Sequence, residues 1–267
     1  MSYLSVHDNV RLHYREAGSG PVLLFHPGFS SNLDLWNWVV RELTPAYRCI
    51  TFDPRGHGDS DKPDSEYTLT ELAADVAAIT TQLDLRDVTL VGHSLGGAVC
   101  FTTMLDHNSD QRVARLALLA PAVPCFVQPD GEEFGVPLAV FEGLHAGLAA
   151  NWVATQVGSA DSFYHQTDAP TAQWLTGRCL AMPVHIAERY FGQLASIDFR
   201  DRLGDLDVPV LVIWGQQDQL ADPRWADWIR ENNPKWTVEM LDHSGHGLMV
   251  DEPARTAELL RAFIAGT

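Results

Sequence analysis

The chain has 267 residues, enough for one large domain with a buried core or for one domain carrying an insertion. Hydrophobic residues make up 46% and charged residues 20%, ordinary globular proportions that exclude a disordered chain. Eighteen Lys and Arg stand against 35 Asp and Glu, and the net charge of −17 excludes nucleic acid and anionic membrane as partners. The first fourteen residues are polar and no run of 18 apolar residues occurs, so a soluble, cytoplasmic protein is expected. Cys49, Cys100, Cys125 and Cys179 stand at no metal-ligand or C-x-x-C spacing. The first two fall in apolar stretches, as small buried residues do.

Short apolar runs at VLLF (22–25), CITF (49–52), VTLVG (88–92) and LALLA (116–120) read as strands covered on both faces. Between them, residues 68–83 place Leu69, Leu72, Ala73, Val76, Ile79 and Leu83 on one helical stripe at steps of three and four. Serial strand–helix order predicts an α/β fold, a parallel sheet with helices on both faces. From about 122 to 205 the pattern stops, and Trp, Tyr, Phe and Ala recur at irregular helical spacing, broken by Gly and Pro. Alternation resumes with VPVLVIWG (208–215), a helix around 223–230 and WTVEML (236–241). A last helix over about 252–265 turns Ala257, Leu260, Phe263 and Ile264 inward. Residues 1–121 and 206–267 are therefore expected to form one α/β domain, interrupted by a mostly helical insertion over 122–205.

The strand at 88–92 runs into Gly92-His93-Ser94-Leu95-Gly96, a G-x-S-x-G match. Five residues with three fixed are a weak signal alone; a strand before and a helical pattern after make them a nucleophile elbow. Glycines at 92 and 96 remove the Cβ atoms that would clash in so tight a turn. Here the chain resembles the α/β-hydrolase family, over essentially its whole length. The resemblance implies a mostly parallel eight-stranded sheet and a helical cap or lid inserted after the sixth strand, with Ser94 as nucleophile.

The family orders its triad nucleophile, acid, histidine. Its acid usually follows the strand two after the elbow, here VLVIWG, and that places Asp218 in the role. Asp222 competes, but Asp222-Pro223 reads as the N-cap and first turn of the next helix. Two histidines follow the final strand. As a pair three apart, His243 and His246 invite a metal reading, but Gly245 and Gly247 argue against the helix it needs and no third ligand stands near. The family's Gly-His followed by an acid-x-Pro matches Gly245-His246 and Asp251-Glu252-Pro253, so the resemblance assigns the general base to His246 and leaves His243 a polar loop residue. It also implies an oxyanion hole from the backbone N–H groups of Leu95 and Phe29. The family's usual histidine before Gly28 is Pro27 here, with His26 one place earlier, a departure shared by a subgroup that includes signalling proteins. Asp53, Arg55, Gly56, His57 and Gly58 match a structural turn of the family.

These residues imply acyl transfer through an acyl-enzyme on Ser94, with no metal and no organic cofactor. Within the insertion, Trp152, Phe163, Tyr164, Trp174, Met182 and Tyr190, together with His93 of the elbow, are the expected substrate-binding residues. Phe191 is a further aromatic in the same segment. Packing of these aromatics against the sheet domain is the competing reading. Arg178 and Arg189 are either clamps for a substrate carboxylate or surface groups. The expected partner is a small-molecule substrate, an apolar ester or lactone, and the chain leaves room for a homodimer. Two other readings stay open: a same-triad C–C bond hydrolase, cofactor-free haloperoxidase, perhydrolase or dioxygenase, and a ligand-binding signalling protein with slow or no turnover.

Overall fold

The computed structural model describes residues 2–267. In chain order the first half runs β1 (Ser2–Ser5), β2 (Arg11–Ala17), β3 (Val22–His26), α1 (Asn37–Leu43), β4 (Arg48–Phe52), α2 (Leu69–Gln82), β5 (Val88–His93), α3 (Leu95–Asp106) and β6 (Val113–Leu119). Four helices follow: α4 (Leu138–Ala150), α5 (Trp152–Phe163), α6 (Ala169–Cys179) and α7 (Val184–Gln193). The chain then closes with β7 (Val210–Gly215), α8 (Arg224–Asn232), β8 (Thr237–Leu241), α9 (Leu248–Asp251) and α10 (Pro253–Ala265).

All eight strands form one sheet in the order β1-β2-β4-β3-β5-β6-β7-β8. From β4 to β8 the pairing is parallel; β1 and β2 add an antiparallel edge. Each strand from β3 to β7 coincides with an apolar run, because strands covered on both faces carry few polar side chains; β8, at the sheet edge, is buried only at Leu241. Every residue of β5 and of β7 is buried. Patterning does not mark β1 and β2. β1 is largely exposed and β2 is buried only at Leu12 and His13, so neither offers a core face long enough to read.

The amphipathic stripe of α2 behaves as its spacing predicts. Leu72, Ala73, Val76 and Ile79 are buried, and the helix packs on α3. α1 packs separately on α10, where Ala257 and Leu260 are buried. Among the described residues, no helix is long and apolar enough to cross a membrane.

The loop after β4 forms the turn expected to be structural. Arg55 is buried and its Nε and Nη2 donate to Asp75 of α2 at 2.6 and 2.7 Å. Its carbonyl accepts from the Tyr190 hydroxyl of α7 at 2.7 Å. Asp53 takes the Leu33 and Asp59 amides and the His13 ring. These buried polar groups are spent on one another, which fixes the loop and holds α7 against the sheet.

The chain doubles back at the middle of the sheet. β3 leads to β4 on one side, whereas β5 leads to β6 on the other. The crevice at the carboxyl ends of β3 and β5 lies at that switch point, the usual ligand position in an open parallel sheet.

Candidate active site

Ser94 follows β5 directly and precedes the first residue of α3, with φ 53° and ψ −125°. A non-glycine residue there carries roughly 1–3 kcal/mol of strain, held in place by its surroundings. The surroundings are close: a Cβ on Gly96 would lie 2.3 Å from the Pro27 carbonyl, and one on Gly92 would lie 2.7 Å from the Gly96 carbonyl. Only glycine at both places lets α3 start this near the β3 loop.

Asp218 follows β7. Its Oδ1 accepts from the Leu220 and Ala221 amides at 2.8 and 2.9 Å, and its Oδ2 from Trp214 Nε1 at 3.1 Å. The fourth donor is His246 Nδ1, at 2.8 Å from Oδ2. Asp222 instead accepts from the Arg224 amide and guanidinium and from the Gly135 amide, the helix-start role that its sequence predicts. His246 and Ser94 line the same cavity.

The loop between β8 and α9 shows why the acids after His246 carry signal. Asp251 accepts from the Gly245 amide at 2.9 Å and from the His165, Gln166 and Thr167 amides of the loop after α5. Glu252 accepts from the Ser244 hydroxyl at 2.6 Å and the His243 amide at 3.2 Å. Gly247 donates to the Phe163 carbonyl, and a Cβ there would meet the Tyr164 ring at 2.7 Å. Asp251 and Gly247 thus clamp the His246 loop to the end of α5, and Glu252 ties the loop to the start of α10. The His243 side chain is exposed and lies outside the cavity.

His93 reaches across from the elbow. Its Nε2 donates to the His246 carbonyl at 3.0 Å, and the two rings lie 4.7 Å apart. Burial first, then the neighbouring His246, hold its pKa well below the ordinary histidine range, so the ring stays neutral. Its Nδ1 is buried without a partner among the described residues.

Among the described residues, neither expected oxyanion donor has an acceptor. Leu95, as the first residue of α3, has an amide that no intrahelical carbonyl can reach. The Phe29 amide donates to no described residue. The Pro27 departure has a local explanation: His26 Nδ1 donates to the Pro27 carbonyl at 2.7 Å, and its ring stands edge-on to Phe52 at 5.1 Å. His26 braces the loop from beneath rather than from within the cavity.

Burial pushes the His26 pKa down to about 3 and that of His57, which is bonded to the Arg55 carbonyl, down to about 4. The unfolded chain protonates both near pH 6.5, so as pH falls below that value it gains protons that the folded state refuses. At pH 5 this costs about 2 kcal/mol for each histidine. Chemical denaturation between pH 7 and 5 is expected to show stability falling with pH, and His57→Gln should flatten the slope by close to one proton. An unchanged slope would remove His57 from this account.

The cavity holds about 470 Å³. Besides Ser94, His246, Asp218 and Phe29, it is lined by apolar side chains from α4, including Val140, Leu144 and Leu148. Phe163 and His93 reach it as expected; Phe191 and Leu194 are further apolar contacts. The other expected substrate-binding residues lie elsewhere. Trp174 is 44% exposed and meets Trp38 edge-on at 6.1 Å, on the outside. Met182 and Tyr190 are buried outside the cavity lining, Tyr190 against Tyr67 and His57. Trp152 packs edge-on to Phe29, and Tyr164 packs on Gly247, neither of them lining the cavity. Met182, Tyr190, Trp152 and Tyr164 are thus used in packing, and phenylalanines and aliphatic residues form much of the wall.

Among the described residues, no lysine or arginine lines the cavity. Arg178 pairs with Asp34 at 3.0 Å, and Arg189 with Asp64 and the Ser65 carbonyl, each at 2.6 Å. Neither is placed to clamp a substrate carboxylate.

Comparison with known proteins agrees with this architecture. A family model described as alpha/beta hydrolase fold matches residues 21–253. The chain is 31% identical over 281 aligned positions to a non-heme chloroperoxidase of Streptomyces lividans, covering 99% of each. It is 30% identical to a non-heme haloperoxidase of Rhodococcus erythropolis, over 83% of each chain. Among solved structures, an esterase from Exiguobacterium antarcticum superimposes with a TM-score of 0.94, at 27% identity and 99% coverage of both chains.

Proposed function

The chain belongs to the alpha/beta-hydrolase fold family, and we propose that within it the protein is a serine hydrolase cleaving a small or medium apolar carboxylic ester or lactone. The observation that carries this reading is the cavity itself. One apolar, cation-free chamber brings together Ser94, the His246–Asp218 pair and Phe29, whose amide donates to no described residue.

His246 takes the Ser94 proton as Oγ attacks the carbonyl carbon. The Phe29 and Leu95 amides receive the developing oxyanion, each worth roughly 3 kcal/mol of barrier. His246 then gives the proton to the leaving alkoxide, and a water deprotonated by His246 clears the acyl group. The absence of any lining cation favours a neutral ester over the anionic products of ring cleavage. Residues 122–205 act as a lid, with 1–121 and 206–267 as the catalytic domain. Four free, buried cysteines suit a reducing cytoplasm.

Similarity to the haloperoxidases supports a second reading on the same triad. Hydrogen peroxide, in place of water, would attack the acyl-enzyme, leaving a peracid and free Ser94.

A fluorophosphonate probe is expected to label Ser94 and to stop hydrolysis of p-nitrophenyl esters, with both signals absent in Ser94→Ala. A folded sample that neither takes the probe nor turns over any ester would sink the proposal. Peracid formation from ester and peroxide at a rate matching hydrolysis would favour the second reading.

A further inference from the structure

One wall of the cavity differs from the rest. α4 contributes only apolar side chains, whereas α5 brings Thr155, Gln156 and Ser159 to the cavity on successive turns. Ser159 is already engaged, and Thr155 is packed against α4. The Ser159 hydroxyl donates to the Gln156 carbonyl at 2.9 Å, and Thr155 Oγ1 faces Gly147 of α4, 3.3 Å from where a Cβ there would stand.

Gln156 is held differently. The Ser30 hydroxyl donates to its Oε1 at 3.3 Å, tying α5 to the residue next to Phe29. Ser30 is buried and sits at φ 57°, a strained position for a serine, so the tether starts from a fixed point. With Oε1 engaged, Nε2 keeps both hydrogens and donates to no described residue. A donor pair thus lies on the cavity wall beside the oxyanion loop. A purely hydrocarbon substrate would strip its water and return nothing, and an unpaired buried donor is costly.

We infer that Gln156 is a specificity-determining residue whose Nε2 donates to a second, uncharged oxygen on the substrate, a few atoms from the scissile carbonyl. The inference rests on the hydrolase reading above. The oxygen is neutral because the lining carries no cation and includes the carboxylates of Asp218 and Asp222. The substrate class is therefore an ester or lactone bearing a nearby keto, hydroxyl or ether oxygen, with apolar bulk elsewhere.

The test uses two isosteric substrate pairs, one for each arm of the ester: p-nitrophenyl butanoate with p-nitrophenyl methoxyacetate, and butyl butanoate with 2-methoxyethyl butanoate. The preference for the oxygenated member is measured as a ratio of kcat/KM in the wild type and in Gln156→Leu. Comparing the two ratios cancels intrinsic reactivity and any general loss. In at least one pair the preference is expected to fall by about tenfold, the scale of one hydrogen bond. Ratios unchanged within about twofold in both pairs would overturn the inference. Gln156→Met carries the same readout if the leucine variant does not fold. Ser30→Ala removes the tether but keeps the donor, so it should retain most of the preference. Equal loss in both variants would assign Gln156 a tethering role instead. Ser94 labelled by the probe with flat ratios defeats this inference alone. Failure of both labelling and turnover defeats the hydrolase reading and this inference together.

Discussion

His246→Ala is expected to lower kcat for ester hydrolysis by about a million-fold, the scale seen when a triad histidine is removed. His243→Ala should leave the rate within about twofold, as a surface change does. The two residues stand three apart in one loop, yet their surroundings separate them. His246 is buried, its Nδ1 bonded to Asp218 at 2.8 Å and its carbonyl held by His93. His243 contributes only its backbone amide, to Glu252, and its ring is outside the cavity. Alanine at 246 removes the imidazole that is bonded to the Asp218 carboxylate and that, in the proposed mechanism, accepts the Ser94 proton. Fluorophosphonate labelling should fail in the first variant and persist in the second. The reverse outcome would mean that the base is misassigned and that the clamp formed by Asp251 and Glu252 holds the wrong histidine in view.

Legibility in the sequence follows burial. The strands from β3 to β7 could be read because covering on both faces forces continuous apolar runs, and β8 through its place after the last interior strand. β1 and β2 could not, since an edge with few buried side chains imposes no pattern. The elbow, Asp218 and His246 were legible through short motifs whose glycines and acids have mechanical jobs: Gly96 admits the Pro27 carbonyl, and Asp251 and Glu252 pin the base loop. The cavity wall was far less legible. In α4 apolar residues occur all round, with Leu138, Val140 and Leu144 exposed and Phe141 and Leu148 buried, so no stripe marks which ones face inward. Side-chain size pointed to Trp174, Met182 and Tyr190, but Trp174 lies on the outside and the other two pack away from the cavity, which is lined instead by phenylalanines, leucines, valines and short polar groups. Ser30 and Gln156 lie 126 residues apart, and nothing local in either stretch announces that they meet.

Asp218→Asn should cost about 10⁴ in kcat while leaving the fold and KM nearly intact. All four partners of the Asp218 carboxylate are donors: two backbone amides, the Trp214 indole and the His246 ring. Asparagine has one acceptor oxygen and one NH₂, so one side of the site must face a donor with a donor. Turning the NH₂ toward Leu220 and Ala221 would leave two buried amides unpaired, at roughly 1–3 kcal/mol each. Turning it toward Trp214 and His246 leaves one, and the imidazole escapes the clash by moving its proton from Nδ1 to Nε2. The second arrangement therefore prevails. It reverses the tautomer, so that the nitrogen meant to receive the Ser94 proton already carries one. Nitrogen NMR of the imidazole should report the Nε2–H form in the variant and Nδ1–H in the wild type. Asp222→Asn serves as the comparison. It disturbs an ion pair with Arg224 and a bond from Gly135, neither of which touches His246, so it should keep the wild-type tautomer and most of the rate. Loss of activity in Asp222→Asn together with retention in Asp218→Asn would move the acid to the other residue.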